Sequence, residues 1–557
     1  MKTCVFVTFE NEFAPLGGLA AVMRVLPKRM AEQWHGPCVT ITPFFREIMK
    51  CRPEILESIC STGITVSVTF GKDTHAIEIW HHEDAQGFAT YFIDSPEFFN
   101  APCDCGDPPD VNAPCNPYSN PEDPSQLLRD ALFFCVAVPR ALVELQFTND
   151  LVLCLQDWET ACVAITAKQE LRLASVSCVL TLNNSYDRAV PARDWRAMMT
   201  QRVSGRTVLT KVAAFLDGPI CTVSRHFAHE LGQDPVQRKI FAPHLQNIFH
   251  KHTLRGIDNG MFSTLDFPRE ARDHAVQGCY RPLLHEKGTR RQEMVKQLTE
   301  YVAPRAWGSL DLTGFEGPVF LFFGRDDPRQ KGFDVAAAAI QRVPVGRARY
   351  IFTPIPGDEG IEGLVFLKKL AEERAGEVKV FPFRMAQGYR ALQRGVSFVV
   401  MCSFYEPFGG ATEGYAVGTP VVARATGGLV QQVVPYPAKS LTGIVRKLSG
   451  RYHSVSASPT GFLYHEAKLN VKTTEHGWRA ILKCGYWPRQ DRVAERSSIP
   501  VFQSMVEHAA TALQDAMELY ETDQTEYARM IVNGFHMLDN FSWDTTIHQY
   551  QEVFTTL

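Results

Sequence analysis

The stretch SFYEPFGGATEGYAVGTPVVARATGGL, Ser403 to Leu429, carries one carboxylate between an apolar run and a glycine pair, and a second glycine pair after another apolar run. The two runs, GVSFVVM and PVVAR, are short, continuous and rich in valine. Such runs are typical of strands that are buried on both faces of a parallel sheet. Ligands of these sheets bind just beyond the carboxyl ends of the strands, so the stretch predicts both a fold class and the place of a site.

Similar apolar runs recur along the chain, and each leads into a segment with helical periodicity. They are TCVFVTF, CVTITPF, LVLCLQ, SCVLTLNN, ICTVS, PVFLFFG, RYIFTPI and EVKVFPF. Strands that alternate with helices predict a doubly wound α/β fold. The runs form two groups, so we expect two Rossmann-like domains facing a cleft, with residues 1–300 in the first and 301–535 in the second.

Composition excludes several classes of function. A chain of 557 residues with 45% hydrophobic residues exceeds what one core supports. The net charge is -4, and Lys and Arg are spread along the chain, which argues against nucleic acid or an anionic membrane as a partner. No apolar run has the length of a signal-peptide core or a bilayer span, so we expect a soluble protein.

Most of the fifteen cysteines lie inside apolar segments, which predicts reduced thiols and a cytoplasmic location. Three others, Cys103, Cys105 and Cys115, lie in an insertion of about residues 101–124 that is rich in Pro, Asp and Asn. A zinc site normally needs a fourth ligand and a better spaced pair. The insertion is therefore interpreted as a surface loop with solvated thiols, and no metal site is predicted.

A basic loop follows the strand PVFLFFG. It carries Arg325, Arg329 and Lys331, and a helix begins near Phe333. Cations at the end of a strand, beside a helix N-terminus, can hold a diphosphate. The alternative is a loop with ordinary solvated charges.

A carboxylate follows the next such strand. Glu406 precedes Gly409 and Gly410, whose bare backbone allows close approach to a ligand. Among groups that favour an anion, a carboxylate can accept hydrogen bonds from sugar hydroxyls or orient a cation. Glu413 is a second candidate, for ribose hydroxyls. Alternatively, Glu406 is an acid at a helix N-terminus that interacts with the helix dipole, and Glu413 occupies a solvated helix position.

Two further glycine pairs follow strands. Gly427 and Gly428 come after Thr426, and Gly17 and Gly18 precede an amphipathic helix. Their amides could cradle phosphate. The alternative is a tight turn.

The chain resembles the glycogen and starch synthases over nearly its whole length. The resemblance rests on APLGGLAAVMRVLPKRM, LQDWETA, CTVSRHFAHEL, LRGIDNGMF, GRDDPRQKGFD, the opening stretch, TGFLY and FSWDTTIHQYQEVF. It implies the GT-B fold, with residues 536–557 as a helix that crosses back onto the first domain. It also implies a retaining transfer of glucose from ADP-glucose, a nucleotide sugar, to an α-1,4-glucan, without a metal or cofactor.

The resemblance assigns roles to individual residues. Arg325 and Lys331 correspond to the cations that neutralise the diphosphate leaving group, and Glu406 to an essential glutamate. With a one-residue gap, Glu413 falls where related retaining enzymes have a second glutamate. Tyr389 resembles an aromatic residue that stacks near the donor base, or else it packs a helix.

Several family residues are replaced in the first domain. Pro15 and Ala21 stand where the family has Lys and Asp around the first glycine pair. A cation that contacts the donor is therefore missing from that motif.

Two further motifs of the first domain depart from the family. The element QDWE keeps Asp157 and Trp158, assigned to the acceptor side, but Gln156 replaces a His. Asn183, at the catalytic position of the family's His-Asn pair, can donate or accept a hydrogen bond but cannot titrate near neutral pH.

Three functions stay open on the sequence alone. The first is a synthase-like glucosyltransferase that uses ADP-glucose and a glucan. The second is a retaining transferase with a different or smaller acceptor or another sugar, which the substitutions in the first domain favour. The third is a catalytically silent homologue that binds glucan or nucleotide.

Overall fold

The computed structural model describes residues 2–103, 115–118, 123, 125–198, 207–301, 303, 305–357, 359–385, 387–484 and 491–557. The chain divides into two compact units. The first consists of Met1–Gly260 and Trp543–Leu557, and the second of Met261–Ser542. Each unit has its own sheet, and Cys105 of the cysteine-rich insertion lies outside the described residues.

The first unit is built on a nine-stranded sheet. Its strands are β1 (Thr3–Val7), β2 (Cys38–Pro43), β3 (Cys60–Phe70), β4 (Asp73–Glu83), β5 (Ala89–Asp94), β6 (Asn149–Gln156), β7 (Ala174–Leu182), β8 (Ile220–Thr222) and β9 (Leu254–Gly256). Their order in the sheet is β3-β4-β5-β2-β1-β6-β7-β8-β9. All neighbours from β5 to β9 pair in parallel, and β3, β4 and β5 form an antiparallel edge.

Helices connect these strands. They are α1 (Gly18–Gln33), α2 (Arg46–Met49), α3 (Pro53–Glu57), α4 (Gln126–Glu144), α5 (Asp157–Ala161), α6 (Val163–Gln169), α7 (Ala192–Met198), α8 (Val208–Val212), α9 (Arg225–Gln233) and α10 (Gln246–Phe249), and the last helix of the chain, Trp543–Thr555, also belongs to this unit.

The second unit has a seven-stranded sheet. Its strands are β10 (Trp307–Gly308), β11 (Val319–Arg325), β12 (Arg349–Ile355), β13 (Val378–Val380), β14 (Phe398–Met401), β15 (Val421–Arg424) and β16 (Gly461–Tyr464). The order is β10-β13-β12-β11-β14-β15-β16, and every pair except β10 with β13 is parallel.

The helices of the second unit are α11 (Arg269–Val276), α12 (Arg281–Glu300), α13 (Phe333–Ile340), α14 (Val365–Glu373), α15 (Tyr389–Gly395), α16 (Ala411–Ala416), α17 (Leu429–Gln432), α18 (Gly443–Ser449), α19 (Val471–Lys483), α20 (Arg492–Arg496), α21 (Pro500–Thr522) and α22 (Gln524–Met537). The last helix of the chain is α23 (Trp543–Thr555).

The predicted fold class is confirmed, because both sheets are mainly parallel and alternate with helices. The hairpin of β3 and β4 is not among the predicted strands. Its strands alternate buried and exposed residues, as in TVSVTF, since one face of an edge hairpin meets solvent. A search for continuous apolar runs does not detect that period.

The first unit was predicted to end at residue 300, whereas the second unit begins at Met261. Helices α11 and α12 belong to the second unit. Lys287 of α12 is buried, and its Nζ donates hydrogen bonds to Arg394 O, Val396 O and Thr419 Oγ1 at 2.8, 3.1 and 3.0 Å. A buried ammonium needs such acceptors, which ties α12 to the second sheet. The C-terminal segment grouped with the first unit begins at Trp543, rather than at 536.

None of the helices in the described parts of the chain combines the length and the apolar composition that a bilayer-spanning segment requires.

Candidate active site

An ion pair lies at the carboxyl edge of the second sheet. Strands β11 and β14 are parallel neighbours, so the segments that follow them meet at the same edge. Lys331 Nζ donates to Glu406 Oε2 at 2.7 Å, and Ser403 Oγ donates to the same oxygen at 2.8 Å. A Cβ on Gly324 would lie 3.5 Å from Lys331 Cε. The lysine side chain therefore passes beside the end of β11, where Arg325 is the last residue. The structure thus brings Lys331 and Glu406 into direct contact near Arg325.

Buried ion pairs hold the loop that carries Lys331. Arg492 Nη2 donates to both carboxylate oxygens of Asp326, at 2.8 and 2.7 Å. Arg496 pairs with Asp334 at 2.6 Å and donates to Pro328 O at 2.8 Å. Removing one partner from such a pair would leave a buried charge uncompensated, so the loop is fixed at both ends.

The segment before Glu406 is held in a similar way. Arg424, at the end of β15, donates to Glu466 Oε2 and Oε1 at 2.8 and 2.6 Å, and to Phe404 O at 2.7 Å. Burial by itself raises the pKa of Glu466, but the Arg424 guanidinium and His465 outweigh it and lower that pKa to about 2. The bidentate pair therefore fixes the backbone two residues before Glu406.

The glycines around Glu406 serve close backbone packing. A Cβ on Gly427, whose φ is 48°, would lie 1.7 Å from Glu406 O, and one on Gly428 would lie 1.9 Å from Phe408 O. The Gly428 amide donates to Glu406 O at 3.0 Å. The Gly428 amide is thus engaged in a turn, as the tight-turn alternative describes, and the phosphate role of Gly427 and Gly428 stays a prediction. Thr426, just before them, is buried.

Gly409 and Gly410 also permit close approach. Gly409 has a φ of 95°, and its Cβ would meet the Leu429 side chain at 2.7 Å. A Cβ on Gly410 would lie 3.1 Å from the Phe323 ring and 3.8 Å from Glu413 Oε1. Gly409 therefore lets the Glu406 segment pack closely against α17, and Gly410 lets it pack against Phe323 of β11.

Tyr389 and Glu413 meet at the same edge through Gln393, which no sequence motif indicated. Gln393 Nε2 donates to Tyr389 Oη at 3.2 Å and to Glu413 Oε2 at 3.4 Å. The Tyr389 and Phe323 rings have their centroids 6.5 Å apart. Burial, and then the Glu413 carboxylate, raise the pKa of Tyr389 well above its usual value. Tyr389 and Glu413 are both half-buried, so each presents part of its surface for a ligand.

A small cavity lies beneath this edge. Its volume is about 50 Å³, and its lining includes Gly324, Lys331, Ser403 and Gly410. Pockets for organic ligands usually have roughly 300–1,000 Å³. This cavity, as it stands, is therefore too small for a nucleotide sugar.

In the first unit, a carboxylate already binds the first glycine loop. Glu10 Oε1 accepts hydrogen bonds from the backbone N–H of Leu16, at 2.8 Å, and of Gly17. A Gly18 side chain would meet nothing within 4 Å. Of the two amides predicted to hold phosphate, that of Gly17 thus binds an internal carboxylate, and the role of Gly18 stays a prediction. Glu10 was missed because the contact spans a loop without a periodic pattern.

The acceptor-side motif forms a polar network at the ends of β6 and β7. Asp157 has a φ of 59° and accepts from the Asn183 N–H at 2.7 Å and from Asn184 Nδ2 at 3.2 Å. Asn183 Nδ2 donates to Gln156 Oε1 at 3.1 Å, while Asn183 Oδ1 is buried and has no partner among the described residues. The substituted residues Gln156 and Asn183 therefore bond to each other. A positive φ at a non-glycine residue is costly, and such strain concentrates at functional sites.

Carboxyl groups crowd around this network. Burial, together with the Glu10 carboxylate, raises the pKa of Asp157 to about 7, although the Asn183 and Asn184 donors act to lower it. Burial, and then Asp157, raise the pKa of Glu159 well above its usual value. Tyr118 donates to Glu10 Oε2 at 2.9 Å. Trp158 is 5% exposed, so its ring packs in the core and offers little surface to an acceptor.

Comparison with known proteins identifies the class. Residues 3–249 match the family described as starch synthase catalytic domain, and residues 282–444 match a family 4 glycosyltransferase of conflict systems. The chain is 25% identical to glycogen synthase 2 of Geobacter metallireducens over 501 residues, covering 85% of this chain and 93% of the relative. It is 26% identical to a Thermotoga maritima glycogen synthase, covering 79% and 86%.

The fold agrees with this. The catalytic domain of starch synthase IV from Arabidopsis thaliana, solved with ADP and acarbose, is similar with a TM-score of 0.69 at 16% identity, over 100% of this chain and 99% of that one. Its likeness supports the GT-B architecture of two Rossmann-like domains. The chain is thus similar to glycogen and starch synthases over most of its length, and it has the GT-B glycosyltransferase fold.

Proposed function

We propose that the protein transfers glucose, with retention of configuration, from ADP-glucose to an α-glucan. The observation that carries the proposal is the Lys331–Glu406 pair, held at the carboxyl edge of the second sheet beside Arg325. Relatives named glycogen synthase support a glucan acceptor, and the similar starch synthase IV was solved with ADP, which supports an adenine nucleotide. A cytoplasmic location stays a prediction.

The proposed reaction depends on stabilising the negative charge of the leaving diphosphate. As the bond between glucose and diphosphate breaks, negative charge develops on the phosphate oxygens, and the cations Lys331 and Arg325 stabilise it. Among the described residues, both hydrogen bonds to the Glu406 carboxylate fall on Oε2. Oε1 then accepts a hydrogen bond from a sugar hydroxyl. The acceptor hydroxyl attacks from the face of the leaving group and gives its proton to the leaving phosphate, so the proposal invokes no metal or cofactor for the transfer.

The donor base and ribose are assigned to the group around Gln393. Tyr389 would stack near the base, and Glu413 would accept hydrogen bonds from ribose hydroxyls. Gln393 bridges both side chains.

A second candidate is a retaining transfer to a different acceptor, or of a different sugar. It is favoured by the first unit, where the Glu10 carboxylate binds the Leu16 and Gly17 amides and Asn183 bonds to Gln156. A bound carboxylate beside the glycine loop would repel an anionic group there. The same assay separates this candidate from the first.

The test is release of nucleoside diphosphate from ADP-, UDP- and GDP-glucose, with glycogen and with small acceptors. We expect ADP release that depends on glycogen, and an α-linked product by NMR. Glu406→Gln and Lys331→Ala should each lower kcat about 10²- to 10³-fold, as loss of a preorganised charge does elsewhere. Lys439→Ala, which alters an exposed cation of the same unit, is the control.

Two results would contradict the proposal. One is the absence of diphosphate release with every donor and acceptor, which would favour a silent binding protein. The other is wild-type turnover in both the Glu406 and the Lys331 variants, which would remove their assigned roles.

A further inference from the structure

Three cysteine sulfurs converge in the first unit. Cys51 follows α2 and is buried, whereas Cys103 and Cys115 come from the insertion, and the three Sγ atoms lie within 4.8 Å of one another. Cys51 Sγ is 3.1 Å from Cys103 Sγ and 3.5 Å from Cys115 Sγ. The sulfurs of Cys103 and Cys115 lie within bonding distance of each other, as in a disulfide, with their Cα atoms 4.9 Å apart. The expected solvated thiols are thus a half-buried cluster, and Cys51, some fifty positions earlier, was missed because only the tertiary structure brings it there.

This arrangement exceeds what a disulfide requires. A disulfide joins two sulfurs, whereas here a third sulfur from another segment approaches both members of the pair. Thiolates around one zinc ion have Zn–S bonds of about 2.3 Å, which puts tetrahedral sulfurs about 3.8 Å apart. The two Cys51 distances, 3.1 and 3.5 Å, are slightly shorter than that spacing, and a zinc ion would move the Cys103 and Cys115 sulfurs apart to it. Soft thiolate donors select zinc rather than magnesium or calcium.

We propose that Cys51, Cys103 and Cys115 bind one structural zinc ion that fastens the cysteine-rich insertion to α2. These residues supply three of the four ligands usual for such a site. Cys105 lies outside the described residues and is not counted among them. The ion has no part in the transfer chemistry, so the proposal does not depend on the proposed function.

The contacts around the three cysteines indicate what a zinc ion would stabilise. The described residues between β5 and α4 form no helix or strand, so the backbone there gains no support from regular hydrogen-bond ladders. Yet Tyr118, three positions after Cys115, donates to Glu10, which binds the first glycine loop. Arg52, next to Cys51, donates to Glu12 O and Phe13 O at 3.2 and 3.1 Å. A zinc ion would hold Tyr118 and Arg52 against the same loop.

The experiment measures metal in the full-length wild-type protein, purified under reducing conditions with zinc supplied. Mass spectrometric metal analysis should find about one zinc per chain, because a formed thiolate site retains its ion through purification. Cobalt exchanged into the site should give a sulfur-to-cobalt charge-transfer band. Cys51→Ser, Cys103→Ser and Cys115→Ser should each reduce bound zinc at least several-fold. Cys60→Ser and Cys279→Ser, which alter exposed free thiols, are the matched controls and should keep it.

The wild-type protein alone decides the question if the cysteine variants fail to fold. Wild-type protein without zinc, or without the cobalt band, overturns the proposal. A Cys103–Cys115 disulfide found by alkylation and mass spectrometry in protein that contains no metal overturns it as well. Chelation should also lower the Tm of the wild-type protein and not that of Cys51→Ser. Zinc at full occupancy in a protein without transferase activity would support this inference while contradicting the proposed function.

Discussion

Replacing Glu466 by Gln should destabilise the second unit strongly. The carboxylate accepts two hydrogen bonds from Arg424, and the two side chains are only 9% and 5% exposed. The pKa of Glu466 falls from 4.5 to about 2, and a difference of about 2.5 units corresponds to about 3 kcal/mol of favourable interaction with the charged form. Breaking a buried pair from one side costs about 3–5 kcal/mol elsewhere. We therefore expect the free energy of unfolding to fall by about 3 kcal/mol.

Equilibrium urea unfolding measures this change, and a matched control is available. Glu521→Gln makes the same chemical change in the second unit, where Glu521 pairs with Arg347 and both side chains are 34% exposed. Such exposed pairs contribute about 0–1 kcal/mol, so that variant should stay close to wild type. The loss in Glu466→Gln should accompany a lower kcat, because Arg424 also holds Phe404 O near Glu406.

The pH dependence checks the cause. The pKa of Glu466 is lower in the folded state, so its contribution is present above about pH 4.5 and is lost as the pH falls towards 2. The difference between wild type and Glu466→Gln should shrink over that range. A loss no larger than that of Glu521→Gln, or a difference that is constant with pH, would refute the reasoning.

Three further outcomes are expected. Gly427→Ala should lower both Tm and turnover, because its Cβ would lie 1.7 Å from Glu406 O. Gly443→Ala is the control and should keep both, because a Cβ there would meet nothing within 4 Å. Equal Tm values for the two variants would contradict this prediction. Burial raises the pKa of Asp130 from 3.8 to about 7, so the wild-type protein should lose stability as the pH rises from about 4 to 7. Asp130→Asn should make Tm depend less on pH over that range. Parallel plots of Tm against pH for the two proteins would contradict this prediction. Gln393→Leu should raise the donor KM several-fold with little change in kcat, since it removes the bridge between Tyr389 and Glu413; an unchanged KM would exclude a donor-side role.

Much of the fold is predictable from local pattern. Strands buried on both faces need continuous apolar side chains, so runs such as RYIFTPI coincide with β12. Position after a strand also predicts that Lys331 and Glu406 share an edge, since parallel neighbours end together. The roles assigned to these residues, and to Arg325, Tyr389 and Glu413, stay predictions.

The parallel α/β class and the residue types at the ends of the strands follow from the local sequence pattern, because burial and backbone geometry act on near neighbours. Which distant groups meet depends instead on how the chain folds in three dimensions. Arg424 pairs with Glu466 across 42 positions, Arg492 with Asp326 across 166, and Cys51 joins Cys103 across 52. Such contacts show no periodic pattern along the chain, because the interaction between two charges or two thiols depends on their distance in space and not on their separation in sequence.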